Sequence, residues 1–177
     1  MANGIFIAEN LASTKLSSLL KTGRYVDGGA VPATIQNGRV VTLGALEAGE
    51  REVFVATDVA ANTDEAYVVD APELQYSQEI TLGLNDFQNP AGTTLRLRKL
   101  AIGDIFAVSA NAIDPIGADP VVTNFIATPA AGNQWAEVAN AAGGQSVICE
   151  IIDTYVLGQD PLGGRNITMY GCKVVSA

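Results

Sequence analysis

The side chains of this sequence whose types and spacing could do chemistry are two groups of carboxylates. Glu47, Glu50 and Glu52 cluster, and Glu150 and Asp153 lie close together in the sequence. Two carboxylates about 5–10 Å apart in a cleft can hydrolyse a glycosidic bond. Such clefts usually line the sugar with aromatic rings, and only 6% of this chain is aromatic. We therefore interpret these carboxylates as solvated surface.

Histidine is absent from the chain. Its absence removes Ser-His and Cys-His nucleophilic pairs and the commonest metal ligand. The sequence also contains no G-x-G-x-x-G or Walker motif and no spaced acidic loop of the calcium-binding type. We predict that the protein is not an enzyme and has no catalytic residues, no cofactor and no metal site.

Two cysteines, Cys149 and Cys172, flank the turn-rich stretch "GQDPLGG". If "SVICEIIDTYVL" and "RNITMYGCKVV" form a hairpin, the two cysteines are near neighbours on adjacent strands. One alternative is a cross-strand disulfide, and the other, which we favour, is a pair of small buried thiols in a reducing compartment.

The charge of the chain limits its partners. The net charge is −9 and the pI is about 4.3, whereas binding to nucleic acid requires clustered Lys and Arg. No apolar run approaches the roughly 20 residues of a membrane span, and "GIFIA" is too short for a secretory signal. We expect a soluble protein, or part of a soluble assembly, that binds neither nucleic acid nor membrane.

Turn signals recur at strand spacing along most of the chain and predict an all-β fold, a small barrel or sandwich of about eight to ten short strands. "ATIQNGRVVT" predicts a hairpin because Asn-Gly favours a type I′ turn. "LEAGE" predicts the next turn and "REVFVAT" the next strand. "EAYVVD", "LRLRKL" and "IGDIFAVS" predict further strands, the last after a Gly-Asp bend.

The first residues differ from the rest in charge and pattern. Residues 1–39 carry four bases against two acids, whereas residues 40–95 carry one base against ten acids. "LASTKLSSLLKTG" has near-helical leucine spacing, with Ser13 as N-cap and Gly23 as stop. We predict an N-terminal arm and linker over 1–35, with one short helix, and a β-core over 36–177. The helix packs on its own domain or docks on a partner, and in the second case deletion of 1–26 leaves the core folded.

Two further features allow alternative interpretations. Arg96, Arg98 and Lys99 form a basic stripe, which either pairs with the acidic middle of the chain or contacts an acidic partner. Residues 111–145 form an irregular, Pro-rich stretch that contains Trp135. That tryptophan either fills the core or lies in a subunit interface, where such side chains are often central.

The stretches "LLKTGRYVDGGAVPATIQNGRVVTLGALEAGEREVFVAT" and "LRLRKLAIGDIFAVS" together resemble the auxiliary head proteins of tailed bacteriophages, the decoration or cement proteins. The resemblance implies a homo-oligomer, a trimer by preference, that binds the major capsid protein. It also implies location on the capsid exterior of the virion, and in the host cytoplasm during assembly. The predicted capsid contacts are Lys15, Leu16, Leu19, Leu20, Lys21, Arg24, Arg96, Arg98 and Lys99, with Trp135 at a subunit interface. The alternatives are another virion part (tail-tube, fibre-base or coat subunit) or a carbohydrate- or protein-binding module.

Overall fold

The computed structural model describes residues 4–28, 30–72, 87–141, 143–158 and 166–177 of the chain. Its regular structure is almost entirely β, which confirms the predicted fold class. The strands form two units, a closed five-stranded barrel and a seven-stranded sheet.

Twelve strands lie within the described residues, slightly more than the predicted eight to ten. The strands are β1 (Phe6–Asn10), β2 (Leu20–Tyr25), β3 (Val40–Leu46), β4 (Val53–Thr57), β5 (Tyr67–Val69), β6 (Thr94–Lys99), β7 (Ile105–Ser109), β8 (Ile113–Asp114), β9 (Phe125–Ala127), β10 (Trp135–Val138), β11 (Ile148–Leu157) and β12 (Ile167–Ser176).

The barrel closes in the order β2-β4-β3-β5-β6 and back to β2. Strand β2 pairs in parallel with β4 and antiparallel with β6. Since β4 and β6 do not pair with each other, β2 closes the barrel between them. Gly23 on β2 packs closely against Leu97 of β6, and a Cβ added at Gly23 would lie 2.6 Å from Leu97 Cδ1. The barrel interior is therefore narrow and is filled by side chains, as in other small barrels.

The second sheet has the order β1-β7-β12-β11-β9-β10-β8. Its longest ladder is the β11–β12 hairpin, which confirms the predicted closing hairpin, although its turn lies outside the described residues. Cys149 lies opposite Val174 and Cys172 opposite Ile151, so the cysteines are on adjacent strands but are not a directly opposed pair. Both are free and buried.

The main core lies where the two units meet. Val40 and Val68 of the barrel pack in one cluster with Phe106 and Trp135 of the sheet. A second cluster fills the barrel interior. Burial of a large apolar side chain stabilises a fold by about 1.5–3 kcal/mol, so this shared core holds the two units together.

The predicted N-terminal arm with a short helix is not what the structure contains. Residues 12–14 and 17–19 are single 3-10 turns, and Leu20 begins strand β2. Strand β1 pairs with β7, so residues on both sides of these turns belong to the sheets. The helical leucine spacing did not decide the structure here. Pairing with two barrel strands satisfies the backbone hydrogen bonds of β2, whereas an isolated helix of this length is only marginally stable.

The Asn37-Gly38 turn also differs from its prediction. Gly38 has φ +79°, as a tight turn requires, but residues 33–36 do not form a ladder with residues 39–42. Ile35 instead forms a bridge with Asn89, and β3 pairs with β4 and β5. The Asn37 side chain is buried and bonds both backbone groups of Ala71, at 2.9 and 3.1 Å. A turn is present at Asn37-Gly38, but Asn37 lacks the positive φ that a type I′ turn requires, and the predicted hairpin is wrong.

Trp135 lies in the stretch that the sequence leaves irregular, and that stretch contains β8, β9 and β10. The Trp135 side chain is 0% exposed, and its Nε1 donates a hydrogen bond to Gly38 O at 3.0 Å. The ring also packs 6.0 Å from Phe106. Because it is enclosed by its own chain, Trp135 is a core residue, and its assignment to a subunit interface is wrong.

Candidate functional site

The basic stripe on β6 is engaged within the chain. Arg96 and Arg98 both pair with Asp70, and Lys99 pairs with Glu65. Arg98 is 7% exposed and also donates to Ser13 Oγ at 3.0 Å. The pairing with the acidic middle of the chain is therefore what the structure contains. Arg98 is too buried to contact a partner, whereas Arg96 and Lys99 remain partly accessible.

The predicted contact residues of the front lie on different parts of the surface. Lys15 and Leu16 are exposed on the turns before β2, with Leu16 54% exposed. Leu19, Leu20 and Lys21 are half-buried. Arg24 pairs with Glu47, which directly follows β3. Only Lys15 and Leu16 therefore project as a docking segment would require.

Asp104 fixes the turns that carry two exposed aliphatic side chains. Its buried carboxylate accepts Ala12 N at 2.8 Å and Ala101 N at 2.9 Å. Leu16 lies just after the first of these turns and Ile102, 70% exposed, in the second. The same carboxylate thus orders both turns, and Gly103 has φ +91°, as the predicted Gly-Asp bend requires.

Glu137 plays the same part in the loop at residues 115–124. Its side chain accepts Ile116 N and Val121 N, each at 2.8 Å, and Asn124 Nδ2 at 2.7 Å. Ile116 is 65% exposed and Val121 54% exposed. Glu137 itself is buried. Its fully hydrogen-bonded carboxylate holds the backbone at Ile116 and Val121, the two residues that present apolar side chains to solvent.

The pKa of Glu137 follows from these contacts. Burial raises the pKa, but hydrogen bonds from Val121, Asn124 and Ile116 stabilise the ionised form and lower the pKa below its usual 4.5 overall. A carboxyl whose pKa is lower in the folded state stabilises the fold fully above its unfolded pKa. That contribution is lost as the pH falls through the folded pKa. The loop is therefore held most firmly at neutral pH.

We predict that Glu137→Gln loosens this loop at neutral pH. The amide group replaces one acceptor by a donor that faces a backbone N–H, and an unsatisfied buried group costs about 1–3 kcal/mol. Urea denaturation should show that loss, and hydrogen exchange should accelerate at Ile116 and Val121. The difference from wild type should shrink as the pH falls through the lowered pKa of the folded wild-type carboxyl.

The matched control for this prediction is Glu52→Gln, the same substitution at an exposed bend just before β4. It should change the urea midpoint little and leave exchange at Ile116 and Val121 unaltered. Equal exchange rates in Glu137→Gln and wild type would contradict the role assigned to Glu137.

A polar cleft lies beside this loop, where the barrel meets the sheet. Its volume is about 420 Å³. The lining residues are Gln36, Arg39, Ala110, Asn111, Ile113, Pro115, Ala118, Asp119, Pro120 and Gln134. The 115–120 part of the loop forms one wall, and Gln134 Nε2 donates to Asn111 O at 3.1 Å across the floor. Clefts of this size accommodate small ligands.

A hydrogen-bonded group borders Arg39 on the barrel side. Asp58 Oδ1 accepts Tyr25 Oη at 2.6 Å and Asn133 Nδ2 at 2.8 Å. Burial, together with the hydrogen bond to Asp58, raises the pKa of Tyr25 to about 12. Tyr25 is thus neutral at physiological pH, and Asp58 is occupied by two donors. Sequence inspection missed this group and the cleft, because their residues come from distant segments and match no motif.

The remaining chemically capable side chains are separated or inert. Burial raises the pKa of both cysteine thiols, so they stay protonated at neutral pH. Glu50 and Glu52 are exposed, and Glu47 pairs with Arg24. On β11, Glu150 lies opposite Lys173, whereas the Asp153 carboxylate covers Gly171. No three metal-ligating side chains come together in the described part of the chain.

Comparison with protein-family models, with curated proteins and with solved structures gives no match for this chain. The likeness to phage auxiliary head proteins thus depends on the sequence stretches alone. Among the described residues, no helix has the length and apolarity needed to cross a membrane.

Proposed function

We propose that the protein is a non-enzymatic structural component of a tailed-phage virion that decorates and stabilises the capsid exterior. The observation that supports this proposal best is the presentation of exposed aliphatic side chains on turns held by buried carboxylates. Asp104 holds the turns near Leu16 and Ile102, and Glu137 holds Ile116 and Val121.

Ordered loops suit a protein that binds a surface in many copies. Binding loses free energy when side chains and loops must be ordered, and a loop ordered beforehand avoids most of that loss. Exposed apolar residues on such loops can be buried against a partner without rearrangement. Many copies on one shell then raise the overall avidity.

The charge distribution also suits this role. The chain is 48% hydrophobic and only 16% charged, whereas soluble domains are about a quarter charged. Arg24, Arg96, Arg98 and Lys99 are all paired internally. We expect contact with the major capsid protein to depend more on aliphatic burial than on ion pairs, and we retain the trimer as the preferred oligomer.

Attachment to heads tests this proposal. Negative-stain microscopy and co-sedimentation should show saturable binding of the protein to undecorated, expanded heads of the phage that encodes it. We predict that Ile116→Ser and Val121→Ser each weaken binding about ten- to hundredfold, because burial of such a side chain stabilises a complex by about 1.5–3 kcal/mol.

Val31→Ser is the matched control. Val31 is 57% exposed, but it lies in the connection between the barrel strands β2 and β3. It should bind heads like the wild type. Rings or tubes formed by the purified protein would favour a tail part instead. A failure of the wild-type chain to bind heads, with no such assemblies, would contradict a virion role altogether.

A further inference from the structure

We propose that the cleft around Arg39 is a binding site for a carboxylate group on a short aliphatic stem. This proposal does not depend on a virion role, because it concerns a ligand rather than an assembly. It rests on the position and pairing of Arg39, on the second charge in the cleft and on the apolar part of the lining.

Arg39 lies just before β3 and is half-buried in the junction between barrel and sheet. Its Nη2 donates to Gln36 Oε1 at 3.0 Å. The four ion pairs formed among the described residues involve Arg24, Arg96, Arg98 and Lys99, and none involves Arg39. A guanidinium removed from water is costly unless an anion compensates it, so the cleft offers an anion a favourable position.

The field of Asp58 compensates the charge of Arg39 only in part. Asp58 raises the pKa of Arg39 through its field, but burial has the larger effect and lowers that pKa overall. The Asp58 oxygen Oδ1 already accepts hydrogen bonds from Tyr25 and Asn133. A ligand in the cleft would therefore supply the directly bonded anion that the described part of the chain does not.

The charge in the cleft favours a carboxylate over a phosphate. Arg39 is the one base among the lining residues, and the exposed acid Asp119 also lines the cleft. A dianion would meet one positive and one negative charge, in a protein with net charge −9. A carboxylate carries a single charge, and its two oxygens match the planar fork of a guanidinium.

The apolar lining favours an aliphatic stem behind that carboxylate. Ala110, Ile113 and Pro115 line the same cleft as Arg39. Methylene groups can lie against them while the carboxylate reaches the guanidinium. Two sources share this chemistry: a free aliphatic acid, and the glutamate side chain of a polypeptide.

Titrations monitored by ¹⁵N NMR on the full chain would test the proposal and separate its sources. The probes are butyrate, a capped tripeptide with a central glutamate, and the same tripeptide with glutamine. We expect saturable shifts at Arg39, Asn111 and residues 116–119 with butyrate or with the glutamate peptide, and none with the glutamine peptide. Tighter binding of butyrate indicates a free acid, and equal or tighter binding of the glutamate peptide indicates an acidic side chain.

Arg39→Met should weaken binding about ten- to hundredfold, the loss expected for a charge-assisted hydrogen bond. Arg51→Met is the matched control, with the same charge change at an exposed turn, and should bind like the wild type. Asp119→Asn should bind more tightly, because it removes a like charge from the wall, whereas Glu50→Gln should not.

Asp119→Asn keeps the test decisive even if Arg39→Met does not fold, because Asp119 is exposed. Arg39→Lys provides a second check, since it keeps the charge but not the planar fork, and it should bind more weakly than the wild type. Equal affinity of wild type, Arg39→Lys and Asp119→Asn, or an absence of shifts up to millimolar butyrate and glutamate peptide, would overturn the proposal.

Discussion

A chain that lacks residues 1–26 is expected to lose cooperative folding. The deletion removes β2, the strand that joins β4 to β6, and so opens the barrel. It also removes β1 from the edge of β7. Arg98 would lose Ser13 as a partner, and Asp104 would lose Ala12. Several buried groups would be left unsatisfied at once, each at a cost of about 1–3 kcal/mol, against a total stability of about 5–15 kcal/mol.

Circular dichroism and urea denaturation of the truncated chain would measure this effect. We expect no cooperative transition and a large loss of dispersion in the NMR spectrum. Leu16→Ser in the full chain is the control, because Leu16 is exposed between the same elements, and it should unfold like the wild type. A truncated chain with an intact cooperative transition would restore the interpretation of this segment as a separate arm.

Asp70→Ala is expected to destabilise the fold by about 3–5 kcal/mol, the cost of leaving a buried charge without its partner. Asp70 receives Arg98 and Arg96 together, and Arg96 Nη2 lies 2.9 Å from its Oδ2. Arg98 is buried between β6 and the N-terminal turns, so water solvates its charge far less than it solvates that of Arg96. Urea denaturation should therefore show a much lower midpoint for the variant.

A double-mutant cycle separates the buried charge from simple loss of packing. Asp70→Ala combined with Arg98→Met should recover much of the loss, because no charge then remains buried. Glu65→Ala is the matched control, since the Glu65–Lys99 pair is exposed and such pairs contribute about 0–1 kcal/mol. If Asp70→Ala costs no more than Glu65→Ala, the Asp70 pair has no special role in stability.

The sequence by itself determined the fold class and several local structures. The all-β fold follows from turn signals at strand spacing, and the turns with Gly49 and Gly103 have the positive φ values that glycine adopts readily. The alternation of Leu95 and Leu97 with arginines placed the leucines inside the barrel. These features depend on neighbouring residues, so short-range sequence patterns are enough to predict them. The lack of histidine likewise limits the possible chemistry in any fold.

The tertiary structure alone decided which segments pair and which polar side chains are buried. Residues 20–25 became a barrel strand because β4 and β6 offer both edges, and Asn37 turned inward because Ala71 supplies a donor and an acceptor. Trp135 entered the core because Gly38 O accepts its indole N–H. Glu137 and Arg39 gained their roles from residues distant in sequence. Such contacts depend on long-range geometry, and local spacing carries little information about it.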